Sequence, residues 1–124
     1  MDPVTVYIHP TCSKSRAALS LLDSRGTAYL AVDYLQTPPD AASLDRILDM
    51  LEGDPAQLVR TDDPRFAGLG LGPGDVADRQ AVITVLVAHP DLMQRPVVVR
   101  DGRAVVARPP ELLFDLFDGA TVPD

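Results

Sequence analysis

The sequence is short of several features, and each shortage excludes a class of protein. It contains one cysteine in 124 residues. A single cysteine cannot form an internal disulfide, which excludes a disulfide-stabilised secreted fold and favours a reducing cytoplasm. The apolar runs are too short to cross a membrane, and the chain does not open on the basic and then apolar segment of a secretory signal. We therefore expect a cytoplasmic protein that does not associate with a membrane.

Positive charge is also in short supply. Eleven Lys and Arg residues against 18 Asp and Glu residues give a formal net charge of -7 at pH 7. A surface of this average sign repels nucleic acids, so no nucleic-acid partner is expected, although a few converging arginines can still bind a small anion. The length and the globular composition predict one domain over residues 1–124, and a monomer.

The first third of the chain predicts a β-α-β unit. A short apolar, β-branched run at 4–8 indicates a strand, a helix-forming segment follows Cys12, and a second strand is predicted at 28–35. A strand, helix and strand in this order favour parallel pairing through a right-handed crossover.

The rest of the chain adds a helical insertion and a hairpin. Helical periodicity at 41–51 and 77–88 predicts an insertion at about 40–90. Two β-rich runs around Asp101-Gly102 predict a hairpin, and a closing helix is predicted at 112–117. The order β-α-β, helical insertion, β-β-α is that of a thioredoxin-like α/β fold with a mixed four-stranded sheet flanked by helices.

Cys12 is the strongest candidate for chemistry. It lies between the first strand and the helix that follows, near free backbone N–H groups and the positive end of the helix dipole. Lys14 and Arg16 add positive charge. Such surroundings lower the pKa of a thiol, which favours a reactive thiolate over the alternative interpretation, a buried apolar cysteine.

Three arginines lie at the boundaries of predicted elements: Arg60, Arg95 and Arg108. Arg95 directly precedes the hairpin and Pro96, in a candidate cis peptide bond, and it can approach Cys12 if the first hairpin strand pairs with the first strand of the sheet. Guanidinium groups match a tetrahedral oxyanion through paired hydrogen bonds. Each arginine alone is more often a surface charge, but their joint placement predicts an oxyanion site.

Several blocks of sequence together resemble one family. The blocks are residues 10–16, 34–39, 58–61, 88–92, 95–99 and 108–111. In their order and spacing they are similar to the glutaredoxin-coupled arsenate reductases, from about residue 4 to residue 117. The resemblance implies a thioredoxin-like fold with a helical insertion and a role in arsenic detoxification. It implies that Cys12 is the redox-active nucleophile and that Arg60, Arg95 and Arg108 bind the oxyanion.

The resemblance also implies an oxidoreductase mechanism. The Cys12 thiolate would attack a bound arsenate, and glutathione or an equivalent low-molecular-weight thiol, together with a glutaredoxin, would resolve the adduct. Because the sequence has no second cysteine, the resolving thiol must come from outside the chain. No metal and no bound cofactor are expected, and the small thiol is a co-substrate.

Three residues near Cys12 are supporting candidates. Where the family carries His-Asn this chain has Ile8-His9, so His9 is either a helper of the thiolate or a solvated loop histidine. Ser15 completes a Cys-x-x-Ser motif like that of monothiol glutaredoxins, although a local hydrogen-bonding role in the first helical turn is favoured. The helix terminus and Arg16 are expected to stabilise the thiolate.

Two other functions remain open. One is a glutathione-dependent thiol oxidoreductase whose arginines bind the carboxylates of a thiol. The other is a non-enzymatic, thiol-responsive regulator that binds RNA polymerase, as some relatives with this fold do. Such regulators typically carry Cys-x-x-Cys, and Ser15 disfavours that function here.

Overall fold

The computed structural model describes residues 4–117, which fall into two compact units. We call residues 4–33 and 95–117 the sheet unit, and Tyr34–Gln94 the helical unit. Within residues 4–117, none of the helices has the length and apolarity that a membrane span requires. The single domain over 1–124 stays a prediction, and the two units are described separately.

The sheet unit contains four strands in the order β2-β1-β3-β4. The strands are β1 Val4–Ile8, β2 Tyr29–Asp33, β3 Val97–Arg100 and β4 Arg103–Val106. β1 pairs in parallel with β2 and antiparallel with β3, and β3 pairs antiparallel with β4. Helix α1, Ser13–Ser24, connects β1 to β2. The predicted α/β fold with a mixed four-stranded sheet is confirmed.

The turn between β3 and β4 sets the register of the hairpin. Asp101 and Gly102 have φ angles of 53° and 73°, and positive φ at both central residues is what a type I′ turn requires. β3 then pairs with the central strand β1 so that Val97 lies opposite Tyr7. The start of β3 therefore lies beside the end of β1, and Arg95 precedes β3 by two residues.

The core of the sheet unit joins β1, β3, α1 and the C-terminal segment. Its buried side chains are Val4, Val6, Ala18, Leu22, Val98, Ala107, Leu113, Leu116 and Phe117. α1 contributes Ala18 and Leu22, which are four residues apart on one helix face, while Leu21 is only partly buried. Packing of this face holds α1 in place, and with it the turn that carries Cys12.

The chain after β4 differs from the predicted closing helix at 112–117. A 3₁₀ segment occupies Pro110–Phe114, and α-helical structure begins only at Asp115. Pro110 and Leu113, three residues apart, lie on one side of the 3₁₀ segment, and both are buried.

Phe117 contacts cationic groups from two other elements. The guanidinium carbons of Arg25 and Arg100 lie 4.2 and 4.4 Å from the centre of its ring. Arg100 also donates from Nη1 to the carbonyl of Leu116 at 2.8 Å. Cation–π contacts and a charge-assisted hydrogen bond therefore hold the C-terminal segment against the ends of α1 and β3.

The helical unit contains three α-helices: α2 Ala41–Met50, α3 Pro64–Gly68 and α4 Arg79–Ala88. Short 3₁₀ segments lie at Pro55–Leu58, Pro73–Val76 and Pro90–Leu92. α2 and α4 correspond to the helices predicted at 41–51 and 77–88, and they contact each other through faces that bury leucine, isoleucine and valine. Proline opens α3 and each 3₁₀ segment, because its fixed φ suits the first helical position and its missing N–H costs nothing there.

Aspartate begins the three α-helices of this unit and its first 3₁₀ segment. In these four cases the N-cap carboxylate accepts a hydrogen bond from an N–H group of the first turn. The pairs are Asp40 with Ser43, Asp54 with Ala56, Asp63 with Arg65, and Asp78 with Ala81. Aspartate is a preferred N-cap because it satisfies a free donor and opposes the helix dipole, so part of the chain's acidity serves helix capping.

Candidate active site

Cys12 occupies the N-cap position of α1. Its backbone is extended, with φ −82° and ψ 123°, and its N–H donates to the carbonyl of His9 at 3.0 Å. The N–H of Arg16 donates to the Cys12 carbonyl at 3.1 Å and opens the helix. The thiol is partly buried at the predicted turn between strand and helix.

The pKa of the Cys12 thiol is set by opposing effects. Partial burial raises it, because burial penalises the charged thiolate. Hydrogen bonds from the N–H of Ser15, the side chain of Arg95, the hydroxyl of Ser15 and the N–H of Lys14 lower it. The hydrogen bonds outweigh burial, and the pKa falls from 9.0 to about 7. The nucleophilic thiolate is therefore far more available at neutral pH than in an ordinary cysteine.

Ser15 is completely buried in the first turn of α1. Its hydroxyl oxygen accepts a hydrogen bond from the backbone N–H of His9 at 3.2 Å, and the same hydroxyl hydrogen-bonds the Cys12 sulfur. The sequence favours a local hydrogen-bonding role for Ser15, and both of these contacts are local hydrogen bonds. Those contacts also connect the strand end directly to the thiol.

The structure shows what surrounds His9 and Arg16, which the sequence alone does not determine. Nδ1 of His9 accepts from the N–H of Thr11 at 3.2 Å and lies 3.0 Å from the Thr11 hydroxyl. The His9 ring thus orders the loop that precedes Cys12. Arg16 is exposed. The sequence predicts Arg16 as a cation that supports the thiolate and also predicts that Arg95 can approach Cys12; in the structure the cationic side chain bonded to the sulfur is Arg95.

Arg95 and Arg108 lie at the same end of the β3–β4 hairpin. Both precede a proline in a cis peptide bond, Arg95-Pro96 as predicted and Arg108-Pro109 in addition. Nη1 of Arg108 donates to the carbonyl of Arg95 at 2.9 Å. The backbone next to them is closed by a hydrogen bond from the N–H of Ala107 to the carbonyl of Pro96, at 2.9 Å. The hairpin therefore brings these two predicted arginines together at the end where β3 meets β1.

Arg60 belongs to the helical unit. Its N–H donates to the carbonyl of Leu92 at 2.8 Å, next to an antiparallel bridge between Val59 and Met93. Its Nη1 lies 2.8 Å from Oδ2 of Asp63, a residue that our sequence reasoning missed. The spacing Arg-x-x-Asp is the only sequence signal for this pair, and it is too common to predict one alone. Among residues 4–117 no group of three or more His, Cys, Asp or Glu side chains could hold a metal ion.

Comparison with protein families identifies the chain. A family model described as the ArsC family matches residues 7–114. The chain belongs to the ArsC family. The resemblance to arsenate reductases inferred from the sequence blocks is thereby confirmed, and the matched range includes Cys12 and all three predicted arginines.

Several relatives of this ArsC-family chain are named arsenate reductases. It is 41% identical over 112 residues to the arsenate reductase of Neisseria meningitidis serogroup A, covering 90% of this chain and 95% of that relative. It is 32% identical over 113 residues to the arsenate reductase of Rhizobium meliloti, covering 91% of this chain and 80% of that relative. The solved structure of an arsenate reductase from Vibrio cholerae has a TM-score of 0.84 at 33% identity, covering 92% of this chain and 97% of that chain.

Proposed function

We propose that this ArsC-family protein is an arsenate reductase that uses Cys12 as its single nucleophile. The observation that carries the proposal is the position of Cys12 at the N-terminus of α1 with the Arg95 side chain hydrogen-bonded to its sulfur, an arrangement that lowers the thiol pKa to about 7. The identity of 41% to a named arsenate reductase supports the choice of substrate. Thiolate, helix donors and guanidinium together suit attack on a tetrahedral oxyanion.

The first step is an exchange of ligands on arsenic. The Cys12 thiolate sulfur forms a bond to arsenic and one As–O bond breaks; the departing arsenate hydroxyl keeps its own proton, takes a second proton from solvent and leaves as water. The N–H groups of Lys14 and Ser15 and the side chain of Arg95, which bond the free thiolate, then face the oxygens of the adduct. Arg108 and Arg60 are proposed as the further oxyanion-binding residues.

The second step is the reduction. A glutathione thiolate, or that of an equivalent small thiol, attacks the Cys12 sulfur, so that an S–S bond forms and the S–As bond breaks. The electron pair of the S–As bond stays on arsenic, which is reduced from arsenic(V) to arsenic(III) and leaves as arsenite. A glutaredoxin then reduces the mixed disulfide by thiol exchange. We infer that the protein works as a monomer in the cytoplasm, where such thiols are kept reduced.

A coupled assay tests this proposal. The protein is mixed with glutathione, a glutaredoxin, glutathione reductase and NADPH, and arsenate-dependent loss of NADPH absorbance is followed. The wild type should consume NADPH, and Cys12→Ser should abolish the consumption because serine is not ionised at neutral pH. Arsenate-dependent turnover that persists in Cys12→Ser, or no turnover in the wild type, would contradict the proposal.

A glutathione-dependent thiol oxidoreductase is the second candidate, because a partly exposed thiol with a pKa of about 7 also reacts readily with disulfides. Arg108 distinguishes the two functions, since it is exposed and bonds the Arg95 carbonyl rather than the sulfur. For arsenate reduction, Arg108→Ala should raise the KM for arsenate about ten-fold, the loss expected for one charge-assisted hydrogen bond. Exchange with a small neutral disulfide should be little changed. A loss confined to exchange with glutathione disulfide, whose carboxylates an arginine can bind, with the KM for arsenate unchanged, would favour the second candidate.

A further inference from the structure

The proposed mechanism gives no role to Asp63, which forms an ion pair with Arg60. The Nη1–Oδ2 distance to Asp63 is 2.8 Å, and the two side chains are 28% and 22% exposed. In the other arginine–aspartate pairs described in the helical unit, every side chain is at least 38% exposed. The Arg60–Asp63 pair is therefore the least hydrated of these pairs, and the least screened.

Asp63 is itself held in place. Its Oδ1 accepts from the N–H of Arg65 at 2.8 Å and caps α3. Its own N–H donates to the carbonyl of Arg60 at 3.2 Å, and Pro64 begins α3 immediately after it. One carboxylate oxygen thus bonds the helix and the other bonds the guanidinium, so the carboxylate is a fixed anchor and not a mobile surface charge.

The backbone of Arg60 is fixed as well. The N–H of Arg60 bonds the carbonyl of Leu92, and the N–H of Gln94 bonds the carbonyl of Leu58, both at 2.8 Å. These bonds flank the antiparallel bridge between Val59 and Met93. The freedom that remains to Arg60 is that of its side chain, which Asp63 restrains.

We propose that Asp63 is a positioning residue, which holds the Arg60 guanidinium ready to bind the oxyanion. This inference rests on the proposed function, in which Arg60 binds arsenate. The ion pair occupies Nη1 and leaves the other guanidinium N–H groups available for an anion. An unrestrained arginine loses rotamer freedom when it binds a ligand, and the pair with Asp63 removes part of that loss beforehand. The negative charge of Asp63 opposes an anion, but water and salt screen this repulsion at a partly exposed site.

The test measures oxyanion binding without turnover. Iodoacetamide alkylates Cys12, and bound arsenate should protect the thiol, so the arsenate concentration that halves the alkylation rate reports affinity. Asp63→Asn keeps an amide oxygen to cap α3 but turns an NH₂ group towards Arg60 and so breaks the pair. We expect Asp63→Asn to raise the half-protecting concentration about three- to five-fold, the effect that a partly exposed ion pair supports.

A double-mutant cycle separates positioning from helix capping. If Asp63 acts through Arg60, Asp63→Asn should cause no further loss in an Arg60→Ala background. Asp78→Asn removes the charge from the matching cap of α4 and should leave the half-protecting concentration within about 1.5-fold of the wild type, as expected for a distant and independent site. In the coupled assay Asp63→Asn should raise the KM for arsenate with kcat nearly unchanged.

Three results would overturn the inference: an unchanged or lowered half-protecting concentration in Asp63→Asn, an equal rise in the Arg60→Ala background, or no protection of the wild type by tens of millimolar arsenate. The proposed function fails separately. Protection that depends on Asp63, with no turnover in the coupled assay, would leave the positioning role intact and exclude arsenate reduction by glutathione and glutaredoxin.

Discussion

The helices of the two units differ in the residue at which they begin. In the helical unit, α2, α3 and α4 each start at an aspartate whose carboxylate accepts an N–H of the first turn. In the sheet unit, α1 starts at Cys12, and the N–H groups of Lys14 and Ser15 act on its sulfur. A carboxylate always occupies the donors of its helix, whereas a thiol occupies them fully only when it is ionised. The N-cap position, which holds a stabilising carboxylate in the other helices, therefore holds a reactive group in α1.

The two units also differ in net charge, and the unit that carries Cys12 is the less acidic of the two. The helical unit has four arginines against ten acidic residues, a net charge of -6, while the remainder of the chain has seven basic and eight acidic residues, a net charge of -1. The acidity of the chain thus belongs mainly to the helical unit. The repulsion of anions that the total of -7 suggests applies least to the unit that carries Cys12.

The largest effect should come from making α1 begin as the other helices do. Cys12→Asp removes the nucleophile, so arsenate reduction should fall below detection in the coupled assay. The new carboxylate should cap α1 and raise the free energy of unfolding by about 1 kcal/mol relative to Cys12→Ala. Urea unfolding of the two variants measures this difference. Equal stabilities would mean that the first turn of α1 offers no open donors, and the comparison would fail.

A smaller effect on the reactivity of Cys12 is expected from removing the cation at the thiol. The rate of Cys12 alkylation should rise with pH and reach half its maximum near pH 7. Arg95→Ala removes a hydrogen bond that favours the thiolate, so the midpoint should move to higher pH. A move of one pH unit lowers the rate at pH 6 by about ten-fold. Arg79→Ala, which removes an arginine of the helical unit, should leave the midpoint unchanged. A midpoint near 9 in the wild type would contradict this account.

The same titration links pH to stability. The thiol pKa is about 7 in the folded protein and near 9.0 without the fold, so the unfolded chain binds more protons between these values. Stability from the thiolate is therefore complete above pH 9 and is lost as pH falls through 7. Between pH 7 and pH 9 the Tm of the wild type should rise relative to the Tm of Cys12→Ser.

The smallest effect on the thiol and its chemistry should come from removing a helix cap in the helical unit. Asp78→Ala leaves the N–H of Ala81 without its acceptor at the start of α4. The free energy of unfolding should fall by about 1 kcal/mol, measured by urea unfolding. The alkylation midpoint of Cys12 should stay near pH 7. A shifted midpoint would show that the capping aspartates and the thiol are not independent, contrary to the comparison.

Features with a local signal were predictable from the sequence. The β-branched run before Cys12 and the helix formers after it indicate the turn between β1 and α1, and Asp101-Gly102 indicates the hairpin. The periodicity of apolar residues indicates α2 and α4. In each case the structure depends on residues close together in the chain, and propensity and spacing report that dependence directly.

Features that depend on long-range packing were less predictable. Proximity in sequence favours Arg16 as the cation at the thiol, and the approach of Arg95 could be predicted only by assuming that β3 pairs with β1, a long-range contact that the structure shows. The burial of Ser15 likewise depends on how α1 packs. The partnership of Arg60 with Asp63 needs a side-chain geometry that the spacing of three residues permits without specifying.

The stacking of Arg25 and Arg100 on Phe117 has a consequence for how the chain can be shortened. One aromatic ring contacts a residue at the C-terminus of α1 and a residue at the end of β3. Truncation ahead of Phe117 would remove a ring that is 4% exposed and uncover the apolar surfaces beneath it. A shortened chain that keeps the core of the sheet unit covered must therefore extend through this phenylalanine, although it stands far along the sequence from the reactive thiol.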